Sequence, residues 1–584
     1  MCGILITHGA SQSFHHGLLA SLRRRGPDAL GFWVGEGLHM AHTRLSIIGL
    51  EEASNQPIEN EQHVLALNGE IYNFAVLKRR LQAEGVHFRT SSDTEVLLHA
   101  WTRWGAAVLP QLTGFWAFAI FDKTSQRLTL VRDQLGIKPL YYWRDGGRVC
   151  AASMLRTILE AAPVARDLDY QALSEYVRYQ FTFGDRTFFQ SIKKVLPGHM
   201  VEIDLRTGEL EDHIYEDILN PVGELRPYSP ELVEEIRALI TRCCEESTVS
   251  DTSFTTLCSG GLDSSLITAI TRPEVAYHCN YSDPDCNETF FARQVVADRP
   301  TRLLVVNARE EFDLIERLRE LVEDFDELTI GSVILPLEDL LSQVKRRYKV
   351  VLTGTGGDEL FAGYTRYQLA LGECYQDSYR ALYERMRVLR GVSQRFEMAH
   401  CKGNPALYRF YHGGAEAEFH RQFDLCRNQE RGDLHAMLTF DRRFFLTGLL
   451  NIDDKLCGRH SIESRPSFLH QDLVRAVLRI EPGALLRDHE LKYFLRRAAA
   501  SHLPAAVLRR TDKMGFTTPV GTFVNQSAHF IREHIAASPF RDLYDFHRVH
   551  YTAENKFSRE VFGLLILDLW LQRYAHPQTR AATA

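Results

Sequence analysis

The chain has 584 residues, 45% of them apolar and 24% charged, with a formal net charge of −7. That length exceeds what a single hydrophobic core serves, so at least two domains are expected. The mild charge leaves no electrostatic footprint for nucleic acid or an anionic membrane, and no apolar run reaches the ~18–20 residues of a membrane span. The opening MCGILITHGA lacks the basic and apolar regions of a secretory signal. Eleven scattered cysteines with no CxxC pair argue against a disulfide framework or a structural zinc site. A reducing, cytoplasmic setting is therefore expected.

The first ~210 residues read as short strands broken by turns: GILIT, HVLALN, FWAFAIFD, RLTLVRD, LYYW and VCAAS. Helical patterns are expected at 13–24, 74–84 and 93–104. Strands in runs with helices beside them predict antiparallel sheets covered by helices. The Pro-rich stretch EDILNPVGELRPYSP reads as a linker. A helix follows, with Ser229 as N-cap, Pro230 at the first position, and Leu232, Ile236, Leu239, Ile240 and Cys243 on one face. Next come compact apolar runs, FTTLC, VAYHCNY, RLLVVNA and YKVVLTG, alternating with helices. That alternation predicts a parallel sheet with helices on its faces. From about Tyr367 the chain reads as mostly helical. The expected domains are 2–210, a linker at 211–228, 229–575, and a tail at 576–584.

The sharpest local signal is LCSGGLDSS at 257–265, where an apolar strand gives way to two glycines and a helix. Gly260 and Gly261 aim backbone N–H groups at one point, and with the helix N-terminus they form an anion cradle. Ser259, Ser264 and Ser265 add hydroxyls, and Leu257 lies at the strand end. Asp263 would repel a phosphate unless a hard divalent cation sits between them. The Walker lysine is missing. A second glycine-rich strand end, LTGTGGDELFAGY, carries Thr353, Gly354, Asp358 and Glu359. SGGLDSS resembles the pyrophosphate loop of ATP pyrophosphatases, and ligands bind where parallel strands end, so Asp263 and Asp358 are expected to converge on one Mg²⁺-pyrophosphate. Lys513, in RRTDKMGFTTP, could neutralise charge on the α-phosphate.

Cys2 is the second distinctive residue. Removal of Met1 would give it a free α-amine, whose pKa of ~7.7–8.0 suits a general base. MCGI, RRRGPD, AHTRLSII, NGEIYN, SSDTE, GFWAFAIFD and RDQLGIKPLYY occur in that order. Together they resemble the class II glutamine amidotransferase domain, an N-terminal-nucleophile fold of αββα layering. SGGLDSS, with LTGTGGDELFAGY, DDKLCGRHSIESRPSFLH and KMGFTTP, resembles the glutamine-hydrolysing asparagine synthetases. The fold class implied is an α+β N-terminal-nucleophile domain followed by an α/β parallel-sheet ATP-pyrophosphatase domain with a helical C-terminal part.

The resemblance implies that Cys2 attacks glutamine and that Arg44 grips its α-carboxylate. Asn68 and Gly69 would form the oxyanion hole, and Glu70 and Asp93 would hold the α-amino group. Asp93 could instead cap the helix at 93–104. ATP and Mg²⁺ are the implied cofactors, glutamine and a carboxylate the substrates, with aspartate favoured and another acid the alternative. A homodimer is possible. Three positions depart from the family pattern: Thr355 stands where its motif carries an acidic residue, His470 where it carries aspartate, and Met154 where it carries glutamate. Thr355 and Glu359 are the acceptor-site candidates.

Overall fold

The computed structural model describes residues 1–9, 19–220, 223–329, 331–510, 518–553 and 558–575. Strand His63–Ile71 is buried at all its positions because both of its faces are covered. Val64 and Ala66 face a second sheet across Ile4, Ile6 and Met40. Leu65 and Leu67 meet Leu77, Leu81, Val96 and Leu97 of helices Phe74–Ala83 and Asp93–Trp104. Burial on two sides explains why HVLALN runs apolar without alternating.

Each of the two facing sheets has six strands. One is centred on Gly3–His8, which pairs antiparallel with Leu38–Arg44 and Arg148–Ala152. The other pairs His63–Ile71 with Gly114–Asp122, and that strand with Arg127–Arg132. Leu22, Leu155 and Ile158 cover the outer side of the first sheet. The layering is αββα, as expected. Of the helix expected at 13–24, residues 20–23 are helical and 10–18 lie outside the described residues. Residues 211–214, read as the start of the linker, end strand Leu210–Ile214, which pairs with His199–Asp204.

Helix Pro230–Glu246 begins as its sequence dictates, with Ser229 Oγ accepting from the Leu232 amide at 3.1 Å. Beyond it lies a five-stranded sheet in the order Arg302–Asn307, Val275–Asn280, Phe254–Leu257, Val350–Thr353, Glu463–Pro466, all neighbours parallel. Four of these strands are the apolar runs. The fifth, ESRP, carries no hydrophobic signature. It is buried because Arg465 pairs with Glu463 at 2.7 Å and donates to the Ser247 and Val249 carbonyls at 3.0 and 2.7 Å. Its register sets Glu463 beside Val350 and Pro466 beside Thr353. Glu463 therefore lies on the edge opposite the glycine-rich loops.

That opposite edge meets the first domain. Arg25 donates to both oxygens of Asp454, at 2.6 and 3.0 Å, and both side chains are about 2% exposed. Gln471 exchanges hydrogen bonds with the backbone of Gly114, and Tyr141 donates to Glu327 at 2.6 Å. Phe188 and Phe189 pack on Trp570. Hydrophobic and polar contacts alternate across the seam, which therefore resembles a core rather than a hinge.

Removing one partner of a buried pair leaves the other charge uncompensated, at a cost of about 3–5 kcal/mol. Arg25→Met is expected to lower the denaturant midpoint accordingly, and Arg25→Met/Asp454→Leu to recover most of the loss. A single-mutant cost below about 1 kcal/mol would show that water reaches the pair.

Candidate active site

Two constellations lie on either side of the seam. In the first domain, Cys2 precedes the central strand of its sheet, and Arg25 Nε donates to the Cys2 carbonyl at 2.9 Å. The thiol lies 3.8 Å from the Leu45 carbonyl oxygen. Burial pushes the thiol pKa up, while the nearby chain terminus opposes that shift. Met1 is 1% exposed, and its amine donates to the Arg25 carbonyl at 3.2 Å. Burial lowers that amine to about 5. The Met1 sulfur lies 3.4 Å from Lys138 Nζ. Met1 thus occupies interior space against the second domain.

Asn68 and Gly69 sit on strand His63–Ile71, close to its end. Asn68 is fully buried, and its Oδ1 and Nδ2 have no hydrogen-bond partner among the described residues. Gly69 has φ of 134°, and a Cβ there would lie 2.0 Å from the Phe115 carbonyl oxygen, so only glycine fits. A fully buried amide with both ends unused is what a site awaiting a polar ligand would present. Glu70 Oε2 is likewise buried without a partner. Burial, with the Asp93 carboxylate beside it, raises Glu70 well above the usual range. Burial raises Asp93 to about 6, against a 2.8 Å hydrogen bond from the Ile71 amide. Ser92, not Asp93, caps helix Asp93–Trp104 by accepting from the Glu95 amide. Asp93 is therefore released from that duty and turned toward Glu70.

Arg44 is buried, and loop carbonyls hold its guanidinium. Nη1 donates to Glu51 O and Asn55 Oδ1 at 3.2 and 2.9 Å, Nη2 to Ile48 O at 3.1 Å and to Gly49 O. Nε has no acceptor among the described residues. A ligand carboxylate at Arg44 would meet Nε or displace one of these carbonyls.

On the far edge of the parallel sheet the two glycine loops close on each other. Ser264 Oγ accepts from the Ser259 amide at 3.0 Å and lies 2.9 Å from Ser259 Oγ, at the start of helix Leu262–Thr271. A Cβ on Gly357 would lie 2.7 Å from the Asp263 carboxylate, so the missing side chain lets the loops touch. Asp263 and Asp358 do converge. Between them stands Lys492, whose Nζ lies 2.5 Å from Asp263 and 2.6 Å from Asp358. Burial opposes its charge, but the two carboxylates prevail and raise its pKa. Lys513, the lysine expected to neutralise charge on the α-phosphate, lies outside the described residues. Lys492 sits in KYFLRRAA, where no glycine or proline marks a loop. The available signal was a lysine at the start of helix Tyr493–Ala498, held in the left-handed region at φ 56°.

The acceptor-site candidates separate. Thr355 Oγ1 donates to Asp453 at 2.5 Å, on helix Leu446–Arg459. Glu359 is turned away, accepting from Tyr364, and burial raises it to about 7. A cavity of about 840 Å³ opens beside Gly261, Asp358 and Lys492, with Tyr364 in its wall. Glu359 lies behind that tyrosine. Two family departures are absorbed by packing. His470 is buried and lies 2.7 Å from Glu246, and Met154 is 2% exposed in the core.

Comparison with known proteins agrees with this division. Residues 1–216 match the glutamine amidotransferase domain, and residues 235–572 match asparagine synthase. The chain is 28% identical to the glutamine-hydrolyzing asparagine synthetase 1 of Bacillus subtilis, over 94% of this chain and 91% of the relative. It is 27% identical to asparagine synthetase 3 of the same organism, over 84% and 82%, and 28% identical to asparagine synthetase B of Escherichia coli, over 62% and 63%. With the asparagine synthase model spanning more than half of its residues and the amidotransferase model matching residues 1–216, the chain belongs to the glutamine-hydrolysing asparagine synthetase family.

Proposed function

We propose that this ligase releases ammonia from glutamine at Cys2 and delivers it, inside the protein, to a carboxylate that ATP has converted to an acyl-adenylate. With aspartate the products are asparagine, AMP, pyrophosphate and glutamate. The observation that supports this best is the placement of the two constellations on opposite edges of one buried seam. Free ammonia is mostly protonated near neutrality, so an interior route keeps it nucleophilic.

The Cys2 sulfur attacks the glutamine amide carbon. The Gly69 amide and Asn68 Nδ2 are placed to receive the developing oxyanion, which accounts for the unused buried amide. Glu70 and Asp93 receive the α-ammonium, whose charge restores their ionised forms. While Met1 is attached, the amine belongs to Met1 and the Cys2 nitrogen is an amide. Excision of Met1 frees a base on the nucleophile itself and clears the space between Arg25 and Lys138.

In the second domain the acceptor carboxylate attacks the α-phosphorus and pyrophosphate leaves. The loop around Ser259–Gly261 and Ser264–Ser265 cradles the phosphates, with Leu257, Thr353 and Gly354 at the strand ends behind it. Lys492 offsets charge as the α–β bond breaks, a role the sequence also suggests for Lys513. Asp263 and Asp358 converge within 2.6 Å of one point and would hold Mg²⁺, which would neutralise the leaving pyrophosphate.

A second reading keeps this chemistry but changes the acid. The cavity beside Asp358 and Lys492 measures about 840 Å³ and takes ATP as well as the acid, so the reading rests on its walls and not on its volume. Tyr179, Phe181 and Phe445 line it, as do Lys402 and Arg559. Neither of those cations has an acidic partner among the described residues. Burial, with Arg366 and Arg559 nearby, lowers Lys402 to about 7. An acid with an apolar body and a second negative group would suit these walls.

Cys2→Ala is expected to abolish product formation from glutamine while leaving pyrophosphate release and amide formation from ammonium salts. Loss of both would contradict a divided chemistry. Asp93 must be ionised to hold an ammonium. Its pKa near 6 in the free protein means that KM for glutamine rises as pH falls through about 6, and Asp93→Asn should remove that limb. Pyrophosphate release measured with aspartate against bulkier aryl or acyl-amino diacids separates the two acceptor readings. Stimulation by aspartate alone would dismiss the second.

A further inference from the structure

Ammonia capture leaves a proton to be placed. The nitrogen lone pair forms the C–N bond, and the acyl C–O bond breaks with its electrons going to AMP. The nitrogen then bears three hydrogens and a positive charge, and one proton must go to a base before a neutral amide exists. The family motif carries an acidic residue at the position of Thr355, and a threonine hydroxyl is not a base at neutral pH.

The structure brings a carboxylate to that point from a different element. Asp453, on helix Leu446–Arg459, accepts from Thr355 Oγ1 at 2.5 Å and lies 3.5 Å from Thr353 Oγ1, both through Oδ2. Its Oδ1 has no hydrogen bond among the described residues. Its neighbour Asp454 points the other way, to Arg25, and thence to the Cys2 carbonyl. The helix thus presents Asp453 between the nitrogen source and the glycine loop. Burial raises Asp453 to about 6, with the Thr355 and Thr353 hydroxyls opposing and Asp454 adding to the rise. Cys457, whose own pKa burial raises well above the usual range, is the other titratable group facing it. Asp453 is thus ionised at neutral pH, yet more basic than an exposed aspartate.

We propose that Asp453 is the catalytic base of ammonia capture in this chain: a carboxylate supplied from the facing helix in place of one on the glycine loop, with Thr355 orienting it. This rests on the acyl-adenylate reading above. Adenylation precedes the step and does not use the base.

The test compares wild type, Asp453→Asn, and Asp453→Asn/Thr355→Glu. Three rates are measured: glutaminase turnover, acid-dependent pyrophosphate release, and amide formation. Glutaminase turnover reports folding. In Asp453→Asn, amide per pyrophosphate is expected to fall about 100-fold or more, the usual scale for loss of a general base. Hydroxylamine, a less basic nucleophile whose adduct sheds its proton more readily, should suffer far less. Returning a carboxylate to the loop with Thr355→Glu should restore amide formation. Equal losses in pyrophosphate and amide, or no rescue by either route, would reduce Asp453 to a tether and overturn the proposal. Wild type that releases no pyrophosphate with any acid would instead overturn the reading beneath it.

Discussion

Arg25 and Asp454 form the contact on which the two-part architecture depends. Each is about 2% exposed, so both charges have left water and neither has another place to go. The same guanidinium holds the Cys2 carbonyl through Nε. One side chain therefore fixes the position of Cys2 and the docking of the second domain. A buried ion pair of this kind gives little or no net stability over a well-packed hydrophobic substitute. Its directional demand is strict, because any sliding of one domain on the other strands a charge. The seam is accordingly specified in register, and the two domains are held at one separation.

Polar groups left unused inside the first domain carry the complementary information. Asn68 with both amide atoms unpaired, Glu70 with an orphaned oxygen, and Asp93 raised to about 6 all destabilise the empty protein. In the proposed reaction each cost would be recovered by a ligand that offers an oxyanion and an ammonium. The glycine loops of the second domain resolve the same tension differently. Asp263 and Asp358 would repel each other at their observed approach, and Lys492 sits between them. When a cation and phosphates enter, that lysine is positioned to exchange its carboxylate partners for phosphate oxygens.

Much of this was legible in the sequence wherever a local rule operates. Ser229 and Pro230 announced a helix start through cap chemistry that needs no tertiary context. Apolar runs announced four strands of the parallel sheet. The fifth, ESRP, was not legible, because its burial rests on Arg465 finding Glu463 and two distant carbonyls. Glycine-rich strand ends exposed Asp263 and Asp358 for the same local reason, since only glycine permits the close approach of the loops. Lys492 was missed because its role arises from where residues 229 positions apart meet. Asp93 was ambiguous in sequence, either a helix cap or a site residue, and the neighbouring Ser92 resolved it by taking the cap.

The departures from the family pattern show how a fold tolerates change unequally. His470 and Met154 sit in packed surroundings, where a new side chain needs only volume and, for histidine, the Glu246 carboxylate. Such sites adjust by repacking, and the chemistry is indifferent to them. Thr355 is different in kind, because in the reading proposed above its position borders the reacting carbon, where a carboxylate has protons to move. A chain that simply lost the acidic group would adenylate its acid and then stall. Here the facing helix carries Asp453 within 2.5 Å of the lost position, on the same turn that anchors Arg25. The chemistry constrains where a basic oxygen lies, not which segment supplies it. A rigid seam makes the helix as accurate a mount as the loop.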